Sequence, residues 1–318
     1  MNGQRVVCQQ QTSRFAIKFG RDVIAQPIFP GDGDQLRRKV GTKYLGVSVA
    51  TGSSIAQNND VDVRQAYLSF GNDGMGTVKL GRDQGVKYPN GFTIPDDAAA
   101  RALLDQARAL GINLIDTAPA YGVSEQRLGP LLRGQREDWV IVSKVGEEFD
   151  NGQSRFDFSP AHTRLSVERS LQRLETDRID LVLVHSDGND VAILRDSGVY
   201  ETLAELKREG KLRAFGLSGK TVEGGLLALE RGDCAMVTYN LAERGEQAVL
   251  DHAATHGKGI LIKKALASGH AVLAGEDPVR ASFELVFSHP GVTAAIVGTI
   301  NPQHLAGNAA TAAAVIRG

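Results

Sequence analysis

Residues 112–144, INLIDTAPAYGVSEQRLGPLLRGQREDWVIVSK, decide how the chain reads. Two short apolar runs, INLID (112–116) and WVIVSK (139–144), enclose a helical stretch. Ser124 is placed to cap that helix, Glu125 stands in its first turn and Gly134 just past its end. Strand, helix, strand in so short a span makes a parallel pair with a crossover helix.

Working outward, the same unit recurs. Further strand candidates are GTVKL (76–80), IDLVLVH (179–185), LRAFGLS (212–218), AMVTY (235–239), GILIK (259–263) and TAAIVG (293–298). Leu103, Leu104, Ala107 and Leu110 repeat at helical spacing ahead of Gly111, and Ser159–Pro160 is a cap with a first-turn proline. Gly210, Gly232 and Gly257 mark further helix ends. Strands that are apolar almost throughout must be covered on both faces. Eight of them alternating with helices, and no glycine-rich fingerprint after the first, predict an α/β fold of the (β/α)8 TIM-barrel type rather than an open doubly wound sheet.

Residues 1–71 fall outside that rhythm. RFAIKFG, KYLGVSVA and VRQAYLSFG alternate with period two between polar turns, which predicts an atypical N-terminal segment, β-rich or poorly ordered, ahead of a barrel over 72–318. VRQAYLSFGNDGMGTVKLGR resembles, locally, a strand–turn–strand unit of a bacterial porin.

The composition excludes several classes. The 318 residues, 42% hydrophobic, supply ample core, and a formal net charge of -1 gives no field toward nucleic acid or anionic lipid. Two distant cysteines, Cys8 and Cys234, predict no disulfide framework, and the scattered histidines no clustered zinc site. With neither a membrane span nor a signal-peptide core, a cytoplasmic protein without a membrane partner is expected. Composition is silent on oligomeric state.

Three consecutive strands end on ionisable side chains: Asp116, Lys144 and His185. In a parallel barrel those ends gather at one mouth. Asp116 can pair with Lys144, and Tyr121, in the loop after INLID, can reach both. A phenol beside an ammonium is drawn toward phenolate, and His185 can orient a carbonyl oxygen.

IDTAPAYGVSEQRLG, VIVSK, DLVLVH, GLS and VGTINPQHLAGN, in that order, are similar to the motifs of the aldo-keto reductases over about residues 74–318. The resemblance implies a nicotinamide-dependent oxidoreductase interconverting a carbonyl (aldehyde, ketone or aldose) and an alcohol. It implies Tyr121 as general acid, Lys144 as the group that tunes it, Asp116 as the holder of Lys144 and His185 as the group that positions the carbonyl. For the cofactor it implies Ser218 and Asn240 near the nicotinamide and Gly298, Thr299, Gln303 and Asn308 near the adenosine phosphates. Lys263 and Lys264 stand where the family often carries a Tyr-Ser pair, and are expected to meet the pyrophosphate. Gly219 and Met236 replace a common asparagine and glutamine. Gly298 and His304 replace a lysine and an arginine common in NADPH-preferring members. The family habit still places NADP(H) ahead of NAD(H). These departures also leave a second reading, a cofactor-binding regulatory or sensory subunit with little turnover.

GLSGKT (216–221) ends like a phosphate-binding loop but lacks its first glycine. Substrate choice is expected in loops 81–95, 145–158 and 186–198, with Tyr88, Phe92, Phe149, Phe156 and Phe158, and the short run after Asn308 predicts an open mouth.

Overall fold

Strands apolar along both faces have to be wrapped, and the chain wraps them with helices. The computed structural model describes residues 44–48, 67–70, 78–81, 97–150, 153–266 and 277–317. The elements begin with β1 (Tyr44–Ser48), β2 (Tyr67–Phe70), β3 (Val78–Gly81), α1 (Asp97–Ala109), β4 (Leu114–Asp116), α2 (Ser124–Leu131) and β5 (Val140–Val145). They continue with β6 (Glu147–Asp150), β7 (Gln153–Phe156), α3 (Pro160–Arg173), β8 (Ile179–His185), α4 (Asp190–Asp196), α5 (Val199–Arg208) and β9 (Leu212–Ser218). The last are α6 (Val222–Arg231), β10 (Cys234–Thr238), α7 (Gln247–His256), β11 (Gly259–Lys263), α8 (Pro278–Ser288), β12 (Ala294–Gly298) and α9 (Pro302–Arg317).

Eight strands close a barrel in the order β1-β12-β11-β10-β9-β8-β5-β4, every pair parallel. Closure runs through β1, whose Ser48 sits opposite both Asp116 and Gly298. The (β/α)8 expectation holds, and seven of its strands lie within a residue or two of the expected positions.

The eighth does not. Val78–Gly81, read as the first barrel strand, pairs antiparallel with Tyr67–Phe70, Leu68 opposite Leu80. Two period-two strands separated by only a few residues of sequence close locally at little entropic cost. The barrel position goes instead to Tyr44–Ser48, upstream of residue 72. The local strand–turn–strand reading therefore describes this hairpin, but a porin assignment does not follow from it. RFAIKFG, Cys8, Tyr88 and Phe92 lie outside the described residues.

The helix punctuation largely holds. Gly111 follows α1 at φ +82°, Gly257 ends α7 at φ +65°, and the Ser159 hydroxyl accepts from the His162 N–H ahead of Pro160. Ser124 is not the cap: it is the first residue of α2, and its hydroxyl accepts from Thr117 at 2.9 Å. Thr117 is fully buried, so its hydroxyl needs a partner, and the Ser124 hydroxyl supplies it.

All six β5 residues and the first six of β8 are buried, with Leu103, Leu104 and Ala107 of α1 and Leu203 and Leu206 of α5 packed into the same core. Truncating one of these, such as Leu183 (0% exposed), removes about 2–5 kcal/mol. A Cβ at Gly216 would lie 2.1 Å from the Cys234 carbonyl oxygen, so only glycine lets β9 approach β10 as it does. This rigid wall holds the side chains that leave the strand ends.

Candidate active site

Asp116, Lys144 and His185 are the last or next-to-last residues of β4, β5 and β8, which are neighbours in the barrel. The Lys144 ammonium donates to Asp116 Oδ1 at 2.6 Å and to the Thr117 carbonyl at 2.9 Å. Both side chains are almost wholly buried, 2% and 5% exposed. Tyr121 hydrogen-bonds Lys144, whose Nζ lies 4.7 Å from the ring centroid. His185 stands edge-on to Tyr121, ring centroids 6.2 Å apart. The four residues singled out in the sequence do come together.

Their electrostatics differ from expectation at one point. Burial opposes the Lys144 ammonium, but Asp116 and Tyr121 outweigh it and hold the lysine above its ordinary range. Tyr121 is not drawn toward phenolate: its pKa is pushed up to about 12. Burial is the largest cause, Lys144 pulls the other way, and Asp116 and Glu147 add to the rise. A desolvated phenol resists ionisation more than one nearby cation favours it. The resting phenol therefore keeps its proton, as a proton donor must.

Two acidic residues that the sequence does not mark as part of the site, Glu125 and Glu147, complete the surroundings. Glu125, 1% exposed, accepts from Ser143 at 2.7 Å and meets Arg173 at 3.3 Å, tying α2 to β5 and α3. Glu147, 5% exposed, stands 2.6 Å from His185 Nδ1. Neither falls at the end of an apolar run, the signal that identified Asp116, Lys144 and His185. Phe149 packs on Ala118, Ala120 and Tyr121, giving the phenol an apolar wall, while Phe158 packs into the core.

Around the same rim lie the residues expected to hold a dinucleotide. Ser218 ends β9, Lys263 ends β11 and Gly298 ends β12. Lys263 donates to Ser218 Oγ at 3.3 Å and to the Gly219 carbonyl at 2.5 Å. Both contacts are with neutral oxygens, and burial lowers the lysine's pKa to about 8. A half-buried ammonium against neutral acceptors is a donor suited to an anionic or carboxamide oxygen, so this set fits a nicotinamide dinucleotide.

Other candidates are already engaged. Asn240 accepts from Ala242 and Glu243 N–H at 2.9 and 2.8 Å and donates to the Lys264 carbonyl at 3.1 Å, shaping the loop and holding Lys264 at φ +54°. The side chain of Asn301 accepts from the Gln303 and His304 N–H groups at 2.8 and 3.3 Å, so the start of α9 is capped by its own chain. Thr299 accepts from the Asn301 N–H, while Gln303 and Asn308 ride on α9. In GLSGKT, Asp190 accepts from the backbone of Lys220 and Thr221 at 2.8 Å each, putting a carboxylate where a phosphate loop would hold its anion.

Among the described residues, no helix is long and apolar enough to cross a membrane. The Aldo/keto reductase family matches residues 74–283. A solved chain from Pseudomonas aeruginosa assigned to the aldo-keto reductases is 73% identical, with TM-score 0.67 over 70% of this chain and 86% of that one. An aldo/keto reductase from Klebsiella pneumoniae solved with NADP and acetate is 27% identical, TM-score 0.54, over 68% of this chain and 80% of that one. The aldo-keto reductase YhdN of Bacillus subtilis is 35% identical over 191 residues, 58% of this chain. The chain spans about half the length of that curated relative, 55%, and 39% of a second Bacillus subtilis relative, an uncharacterized oxidoreductase. The chain belongs to the aldo/keto reductase family.

Proposed function

We propose that the protein is a nicotinamide-dependent oxidoreductase that interconverts a carbonyl and an alcohol, with Tyr121 as the group that gives and takes the proton. One observation carries the reading: the Asp116–Lys144 pair buried at 2.6 Å under a phenol that His185 faces from the next strand. Bound nicotinamide would supply the hydride in reduction and accept it in oxidation. In reduction, the Tyr121 hydroxyl protonates the developing alkoxide. The Lys144 ammonium limits the charge left on the phenolate, and Asp116 keeps that ammonium charged and fixed. His185 orients the carbonyl oxygen. Ser218, Lys263 and Lys264 would hold the nicotinamide and pyrophosphate side of the cofactor, and Gly298, Thr299, Gln303 and Asn308 the adenosine side. Asn240 would act on it through Lys264.

NADP(H) is the preferred cofactor in this reading, supported by the family habit and by the NADP complex of the Klebsiella relative. The small-molecule substrate is an aldehyde, ketone or aldose. The test follows reduced-nicotinamide absorbance with a panel of these, NADPH beside NADH. Tyr121→Phe should lower kcat about 10²- to 10⁴-fold while leaving nicotinamide binding, read by fluorescence, intact. A phenylalanine variant that turns over at the wild-type rate ends the assignment. Tight cofactor binding without turnover on any carbonyl in the wild type would mark a sensor instead.

A further inference from the structure

We propose that Glu147 is a positioning residue that keeps a proton on His185 Nδ1, so that the pair, not the histidine alone, decides whether the site faces substrate with a donor or an acceptor. This rests on the reading of the Asp116–Tyr121–Lys144–His185 cluster above and adds a fifth group to it.

The chain builds the contact deliberately. Gly146 turns the backbone between β5 and β6 at φ +99°, a conformation that strains any side chain, and a Cβ there would lie 2.3 Å from the Phe158 ring. That turn swings Glu147 over the mouth, 2.6 Å from His185 Nδ1 and 5% exposed. Ser154, across the β6–β7 hairpin, donates to the other carboxylate oxygen at 2.6 Å. The hairpin is pinned from behind by Glu148, which meets Arg169 and, at 3.4 Å, His162 of α3. Phe149 anchors it in front on the Tyr121 cluster.

At 2.6 Å a ring nitrogen and a carboxylate oxygen cannot meet with two lone pairs, so one of the two atoms carries a proton. The approach is close but is not aligned as a hydrogen bond. The remaining ring nitrogen, Nε2, then has two states. With two protons on the pair, Nε2–H donates and a carbonyl oxygen is held. With one proton, Nε2 presents a lone pair, which repels a carbonyl oxygen and accepts from an alcohol hydroxyl. Ketone and alcohol thus bind to opposite protonation states of one dyad. The ionisable groups on its barrel side are Tyr121, Lys144 and Asp116; Glu148 and Arg155 of the hairpin, with His162 and Arg169 of α3, belong to the hairpin's other face.

The test is ¹⁵N NMR of histidine-labelled full-length protein from pH 5 to 10, with the His185 signals identified by their loss in His185→Gln. In the wild type, the neutral ring at high pH should carry its proton on Nδ1; a neutral ring protonated on Nε2 overturns the proposal without any variant. In Glu147→Ala no carboxylate stands beside Nδ1, and the neutral ring should move to the Nε2–H tautomer. An unchanged tautomer in that variant also overturns the proposal. Because the spectra need no turnover, their outcome stays separate from that of the Tyr121→Phe assay.

Discussion

Lys144 and Lys263 leave strand ends of one barrel, one buried and one half-buried, and chemistry treats them oppositely. Lys144 meets a carboxylate at 2.6 Å and is held above the ordinary lysine range. Lys263 meets a hydroxyl and a carbonyl and is pulled down to about 8. The barrel wall contributes desolvation to both; the sign of the result depends on whether a full negative charge is within contact. Lys144 is thereby a fixed charge on which a phenol can rely. Lys263 is a cation in want of an anion, which suits a residue meant to receive one.

The largest expected effect comes from making Lys144 resemble Lys263. Asp116→Asn leaves an oxygen to accept from the ammonium but removes its charge. Breaking a buried pair from one side costs about 3–5 kcal/mol, which denaturant unfolding at pH 7 would read. The pH dependence should change sign as well. In the wild type the folded Lys144 pKa is raised, so its stabilisation is present below the unfolded value of 10.5 and is lost only as pH climbs through the higher folded one. In the asparagine variant the lysine becomes a depressed group, and stability should recover as pH rises above neutrality. An unchanged unfolding midpoint would remove charge pairing from the account.

How much of this contrast the sequence discloses depends on which force wrote each residue. Asp116, Lys144 and His185 are legible because a charge ending an apolar strand violates the local pattern, and the barrel rule then says where such violations meet. Tyr121 is legible from its loop, but its protonation is not: the expected phenolate loses to burial, a quantity that only the packed fold sets. Glu147 is hidden because a glutamate next to a glycine in a polar loop looks like a solvated turn, and only the φ +99° turn aims it inward. The identity of the closing strand is hidden for a related reason. KYLGVSVA and GTVKL are both short strand-formers, and pairing partners distant in sequence choose between them.

A smaller effect tests the other half of the contrast. With a folded pKa of about 8 against 10.5 unfolded, Lys263 weakens the fold while charged in both states, and that penalty is relieved as pH rises from 8 toward 10. Lys263→Met should remove the alkaline rise and raise stability at pH 7. The gain should be on the order of 1–2 kcal/mol once the side chain's partial exposure is allowed for. Dinucleotide affinity, read by fluorescence titration, should fall in the same variant. A methionine variant less stable at pH 7, with the alkaline rise intact, would mean that Lys263 is already neutralised.

The smallest effect separates the two neutral oxygens that Lys263 has. Ser218 Oγ accepts at 3.3 Å, a long contact, while the Gly219 carbonyl accepts at 2.5 Å and cannot be removed by substitution. Ser218→Ala therefore takes away the weaker of two acceptors, worth about 0.5–1.5 kcal/mol at most. Each acceptor favours the ammonium over the amine, so its loss should carry the lysine further down. In ¹³C NMR of reductively methylated protein, the Lys263 titration should begin a few tenths of a pH unit lower, with Lys144 unmoved. If the lysine titrates higher instead, the serine was serving as a donor to an already neutral amine. The contrast between the two lysines would then be one of protonation state and not of charge environment.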